Sequence, residues 1–148
     1  MAMWHRIVAA SLLSIAAASA QAIDYRSVEV PAAILYDSPS QKGKKLYLIK
    51  AQTPVELIVP LAGWVKVRDA EGTLAWIETR NLSERRTLVV TAPRAEIRDA
   101  DRADAAVVAV LDKWVVVDLI EAAAPGWAKV RHRDGATGFV RSTQVWGL

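Results

Sequence analysis

The 148-residue chain has no cysteine. That excludes a disulfide, a thiolate metal site and a lipid attached to a cysteine behind an export signal. Histidine is nearly as scarce, with two in all, His5 and His132. A transition-metal site or a Ser-His nucleophile pair therefore has little to build on, and His132, between Arg131 and Arg133, reads as a solvated turn residue. No glycine-rich phosphate loop is present. The one long apolar run, Ile7 to Ala18, is short against the roughly 20 residues needed to cross a bilayer. Charge of one sign is also missing. The net charge is +3, and opposite charges are interspersed along the chain, which argues against a nucleic-acid partner.

The first residues do carry a pattern. Arg6 supplies a short basic start, the apolar run follows, and small residues stand at Ala18, Ala20 and Ala22. This reads as an export signal over residues 1–22. Two cleavage frames fit, Ala18-Ser19-Ala20 and Ala20-Gln21-Ala22, and the second leaves Ile23 first. Removal takes one arginine and no acid, so +3 falls to +2. The expectation is a periplasmic or secreted protein with no transmembrane segment after the signal is removed.

The remainder is a tandem. Gly63-Trp64-Val65-Lys66-Val67-Arg68, then Gly72 and Trp76-Ile77, returns as Gly126-Trp127-Ala128-Lys129-Val130-Arg131, then Gly135 and Phe139-Val140. Every matched pair is 63 positions apart (126 − 63 = 63). Upstream, Ala33 to Asp37 faces Ala95 to Asp99 and Val55 to Ile58 faces Val117 to Ile120 at an offset of 62, so one residue is gained in the loop between. Within each unit the apolar residues come in short clusters rich in valine, isoleucine and tryptophan, broken by turn formers, which is the pattern of strands. Only Ala103 to Leu111 offers a helical turn, and the β-branched Val107, Val108 and Val110 favour a strand there too. Asp69-Ala70-Glu71-Gly72 and His132-Arg133-Asp134-Gly135 suit tight hairpin loops. The expected division is repeat one over 23–82, a linker at 83–86 and repeat two over 87–148. Units of about 60 residues bury little core alone, so the two should pack together or share a rigid linker.

Strand alternation locates a candidate surface. Val65 and Val67 claim the core, so Trp64, Lys66 and Arg68 share the opposite face. Pairing with Leu74 to Ile77 brings Trp76 out beside them. Repeat two gives Trp127, Lys129, Arg131 and Phe139 in the same way. Two rings among cations can stack on sugars or peptide side chains, or hold anionic groups. The rings can equally lie over the stems of Lys66 or Lys129, or form the contact between repeats. Trp114 and Trp146 have no counterparts in repeat one and are assigned to the end of the second unit or to the seam. The acidic pairs Asp69/Glu71, Asp99/Asp101 and Asp101/Asp104 read as loop solvation, without the spacing of a calcium loop.

Short strands, Gly-Trp-x-Lys-Val-Arg, a glycine turn and an aromatic-aliphatic pair resemble the bacterial SH3 domain family, twice over. The resemblance implies an all-β fold of two tandem small SH3-like β-barrels, of a kind common in exported bacterial proteins, often beside cell-wall enzymes or as wall-targeting modules. In eukaryotic relatives a proline-rich peptide lies on the tyrosine of an Ala-Leu-Tyr-Asp-Tyr stretch, a hairpin tryptophan and a Pro-Ser-Asn-Tyr stretch. Tyr36 and Trp64 match the first two, which adds Tyr36 to the candidate surface. The third is replaced by Glu78-Thr79-Arg80-Asn81 and by Arg141-Ser142-Thr143-Gln144, and Arg98 stands where Tyr36 does. The resemblance therefore implies the fold rather than the polyproline ligand. The resulting expectation is a non-enzymatic binding module without cofactor or metal. Its partner is a cell-wall glycan or peptide, such as peptidoglycan, or alternatively an envelope protein.

Overall fold

A computed structural model describes residues 22–148. The expected signal segment lies outside these residues apart from Ala22. Unit one contains β1 (Tyr25–Val28), β2 (Ala32–Tyr36), β3 (Lys45–Lys50), β4 (Pro54–Leu61), β5 (Trp64–Arg68), β6 (Leu74–Glu78) and β7 (Leu82–Ser83), with a 3-10 turn at Thr79–Asn81 before β7. Unit two repeats the series as β8 (Thr87–Val90), β9 (Arg94–Arg98), β10 (Val107–Asp112), β11 (Val116–Ala122), β12 (Trp127–Arg131), β13 (Thr137–Arg141) and β14 (Val145–Trp146), with its 3-10 turn at Ser142–Gln144. The strands form two seven-stranded antiparallel sheets of the same order, β3-β2-β6-β5-β4-β1-β7 and β10-β9-β13-β12-β11-β8-β14. Of the piece from Ala103 to Leu111, the valine-rich part from Val107 is strand, as its valines favour, and residues 103–106 form the turn before it. The first strand ends at Val28. Glu29 has left the ladder, its N–H bonded to the Asn81 carbonyl.

Matching irregularities bend the two sheets at matching places. Register slips fall between Leu57 and Val59 in β4 and between Leu119 and Glu121 in β11. A second pair falls where β3 meets β2 and where β10 meets β9. An extra residue of this kind bends its strand and increases the local twist. The hairpins β5–β6 and β12–β13 turn through Gly72 and Gly135, at φ 88 and 96, values a residue with a Cβ adopts only under strain. The Asp69 carboxylate accepts the N–H groups of Glu71 and Thr73 inside the first turn.

Each sheet encloses its own core. Leu35, Val55, Val67 and Ile77 are fully buried in unit one; their repeat mates Ile97, Val117, Val130 and Val140 are buried in unit two. A buried aliphatic side chain of this size contributes about 1.5–3 kcal/mol, so small cores leave thin margins, and the seam adds to them. Ser27 and Thr87, the buried polar residues among those described, both direct their hydroxyls away from their own strands' ladders. Ser27 donates to the Arg85 carbonyl at 2.7 Å and Thr87 to the Gln52 carbonyl of unit one at 2.6 Å. These bonds satisfy groups that burial would otherwise penalise. Arg86 lies over the Tyr25 ring at 5.4 Å and donates to the Gly147 carbonyl at 2.7 Å. The connection between the units is thus held on both sides.

Candidate functional site

In unit one, Val65 and Val67 point into the core and leave Trp64, Lys66 and Arg68 half-buried on the other face of β5. Across the β5–β6 ladder Lys66 faces Trp76 and Trp64 faces Glu78. β2 then brings Tyr36 opposite Trp76. The Tyr36 ring meets that of Trp64 edge to face, with centroids 5.3 Å apart and planes at 86°. Tyr36 is only 6% exposed, so it supports Trp64 from beneath more than it offers a surface. Arg68 is engaged with Glu56 at 2.9 Å.

Glu78 closes this face. Gln41 donates to one carboxylate oxygen at 2.7 Å and Arg80 to the other at 2.5 Å. The Gln41 bond first, then that of Arg80, holds the Glu78 carboxyl below the usual carboxylate range. A shallow cavity of about 440 Å³ lies here, lined by Tyr36, Gln41, Lys45, Glu78 and Arg80 among others.

Unit two builds the same face with different chemistry. Trp127 and Lys129 are half-buried on β12, Lys129 faces Phe139 across the ladder, and its ammonium lies 5.9 Å from the Phe139 ring. Phe139 in turn faces Arg98, which pairs with Glu96 and donates to the Ala105 carbonyl at 2.7 Å. Arg141, the counterpart of Glu78, lies 4.8 Å over the Trp127 ring. The tryptophan of unit one therefore stands by a carboxylate and that of unit two beneath a guanidinium. Strand alternation identifies the rings but does not single out Glu78 and Arg141. The 63-residue offset aligns them, and their opposite charge is the available signal.

Of the expected residues, Trp64, Trp76, Lys66 and Tyr36 gather on one face and Trp127, Phe139 and Lys129 on the other. Arg68 is committed to its ion pair. Arg131, at the end of β12, is exposed and lines a cavity of about 560 Å³ where the units meet. His132 has Nδ1 buried and 3.0 Å from an Asp134 oxygen. The Ala136 N–H first, and then His132, hold the Asp134 carboxyl low. Among the described residues no cluster of three or more metal-ligating side chains occurs, and no helix is long and apolar enough to cross a membrane.

Comparison with known proteins gives one clear result. The bacterial SH3 domain model matches residues 29–84 and again residues 91–147. No curated protein matches the chain. Among solved structures it is similar to NlpC2 and NlpC1 of Trichomonas vaginalis, at 15% and 17% identity and TM-scores of 0.41 and 0.40. These alignments cover 86% and 93% of this chain and 49% and 50% of theirs. An NlpC/P60 family protein of Bacillus cereus follows at 13% identity and a TM-score of 0.39, with 83% of this chain and 56% of that one covered. The chain thus spans about half the length of these structures. The two matched segments take in more than half of the sequence and cover all but the first strand of each sheet, and the chain belongs to the bacterial SH3 domain family, with one copy in each unit.

Proposed function

We propose that this is an exported, non-enzymatic binding protein of the cell envelope, whose two units recognise peptidoglycan or another wall component. The observation that carries the reading is the repeated pair of half-buried rings beside cations: Trp64 and Trp76 with Lys66 in one unit, Trp127 and Phe139 with Lys129 in the other. Large rings left part-exposed at equivalent places offer stacking surface to sugar or peptide. Arg68, Tyr36 and Arg131 complete the candidate surface, as support or as charge. Two weak sites on one chain gain affinity from being joined.

In this reading residues 1–22 form the removed signal and Ile23 begins the mature protein. The repeats span 23–82 and 87–148 around the 83–86 linker, and each bent sheet forms a small SH3-like barrel. The expected partners include no nucleic acid.

The test is cosedimentation of the protein with purified sacculi over a salt series, beside a Trp64→Ala/Trp127→Ala variant of intact fold. Saturable retention that survives moderate salt and needs the tryptophans is the expected result. Equal retention of the variant, or none for either protein, would remove the wall as ligand.

A second reading, docking on an envelope protein, has its own support. The edge strands β3 and β10 expose Leu46 and Leu48, and Val108 and Val110, at corresponding positions. An exposed edge with outward aliphatics is suited to receive a partner strand. A co-purifying protein with no retention on sacculi would favour it.

A further inference from the structure

One ion pair is repeated in sequence but not in space. In unit one Glu56 faces Arg68 across β4 and β5, and the two bond at 2.9 Å. In unit two Asp118 faces Arg131 across β11 and β12 in the same register. Asp118, however, is held by Arg85 from the connection between units, whose Nε and Nη2 donate to its two oxygens at 2.9 and 2.7 Å. This two-pronged geometry is the strongest that a guanidinium and a carboxylate can form. Arg131 is left without an acidic partner within 4.0 Å among the described residues, as is Arg133.

Both free arginines line the 560 Å³ cavity at the seam, together with Gln52, Trp114, Asp118 and His132. With Arg85 and Asp118 neutralising one another, Arg131 and Arg133 leave its balance at two positive charges. Gln52 and Trp114 are also the non-glycine residues with positive φ among those described, at 65 and 71. They occupy the same turn of each unit, their N–H groups tied to the carbonyls of Val28 and Val90 at 2.6 and 2.8 Å. A bulky side chain is rarely found in that backbone region, and strain of this kind gathers at binding sites. Trp114 is 47% exposed there. The ammonium of Lys113 lies 4.7 Å over its ring, which adds a cation beside the cavity.

We propose that the seam cavity binds an oxyanion, carboxylate or phosphate, with Arg131 and Arg133 as its charged contacts and Trp114 as the adjoining wall. Arg85 acts as a positioning residue, since by occupying Asp118 it keeps Arg131 free. The site shares only Arg131 with the aromatic faces and stands without the wall-binding reading.

The test uses the purified protein at fixed ionic strength, titrated with inorganic phosphate and separately with glutarate, following arginine and indole N–H signals by NMR. Saturable shifts at Trp114 and Arg131 are expected. Arg131→Gln weakens binding at least about tenfold, the loss expected for one charge-assisted contact. Arg133→Gln, in an exposed turn, weakens it by a smaller factor. Arg68→Gln, the ion-paired repeat mate, changes it by less than about twofold. Arg85→Gln releases Asp118 to capture Arg131 and weakens binding as Arg131→Gln does, while Arg85→Gln/Asp118→Asn restores it. Phosphate binding tighter than glutarate supports the site and assigns it to phosphate groups; the reverse order supports it and assigns it to carboxylates. Shifts that do not saturate, equal affinity in Arg131→Gln, or no recovery in the double variant would overturn the proposal.

Discussion

Tyr25, in the first strand of unit one, meets Trp146, in the last strand of unit two, edge to face with centroids 5.1 Å apart and planes at 85°. The two ends of the tandem are thereby joined. β14 pairs with β8, and β8 follows directly on the connection that Ser27 and Arg86 hold. Trp146 belongs to unit two by its hydrogen bonds and to unit one by its ring.

This contact predicts energetic coupling between units. Tyr25→Ala and Trp146→Ala should each lower stability, and a double-mutant cycle should give about 0.5–1.5 kcal/mol of coupling between the rings. Urea unfolding measures it. A coupling near zero would show that the rings are neighbours without mutual stabilisation.

Gly138 predicts an asymmetry between the repeats. A Cβ at Gly138 would lie 2.2 Å from the Arg98 carbonyl oxygen and 2.7 Å from Ile97 Cγ2. Its counterpart in unit one, Ala75, accommodates a Cβ while buried. Gly138→Ala should therefore destabilise unit two by about 1–3 kcal/mol, the usual cost of overpacking. Thermal unfolding of Gly138→Ala beside wild type checks this; an unchanged midpoint would mean that β9 moves away from β13 freely.

What the sequence makes legible follows from period and repetition. Alternation in Trp64-Val65-Lys66-Val67-Arg68 assigns inner and outer faces because strand side chains alternate strictly, and the burial of that strand agrees. The offsets of 62 and 63 pair the two units, and the glycine turns are where acid-glycine chemistry places them. The seam follows no such rule. That Arg85 reaches Asp118, 33 residues away, depends on the long-range β8–β11 pairing that sets Thr87 opposite Asp118 and bonds the Leu119 N–H to the Arg86 carbonyl. Its consequence, a free Arg131, is invisible in a phrase that reads identically at Arg68 and Arg131. The short β7 and β14 are missed for a related reason. Two-residue strands carry no period, and they form because β1 and β8 offer an edge.

Tyrosine ionisation predicts an alkaline limit. The Tyr47 hydroxyl donates to Asp69 at 2.5 Å, tying β3 to the β5–β6 turn. Burial, then that hydrogen bond, pushes the Tyr47 pKa well up; burial, then the charge of Glu56, also raises that of Tyr25. A folded-state pKa above the unfolded value, about 10, means stability that is whole below that pH and declines as pH climbs toward the folded value. Chemical denaturation between neutral pH and pH 11 should show the decline, and Tyr47→Phe should make it shallower. An identical slope in the variant would assign the decline elsewhere.

The inverted charge beside the two tryptophans predicts that the units differ toward an anionic ligand. Glu78 stands across the ladder from Trp64 and ties up the charge of Arg80, so that face offers no free guanidinium to an approaching anion. Arg141, over the Trp127 ring, attracts one. Glu78→Gln should strengthen retention on anionic wall material and Arg141→Gln should weaken it, each by about two- to fivefold at low salt, as suits charges at the surface worth about 0.2–1 kcal/mol. Both differences should shrink toward unity in high salt, because exposed charges are screened within about 10 Å at 0.1 M. Cosedimentation of both variants across a salt series measures this directly. Shifts of the same sign in the two variants would mean that the charges act through local folding and not through the ligand, since only direct electrostatics gives opposite signs that salt removes together.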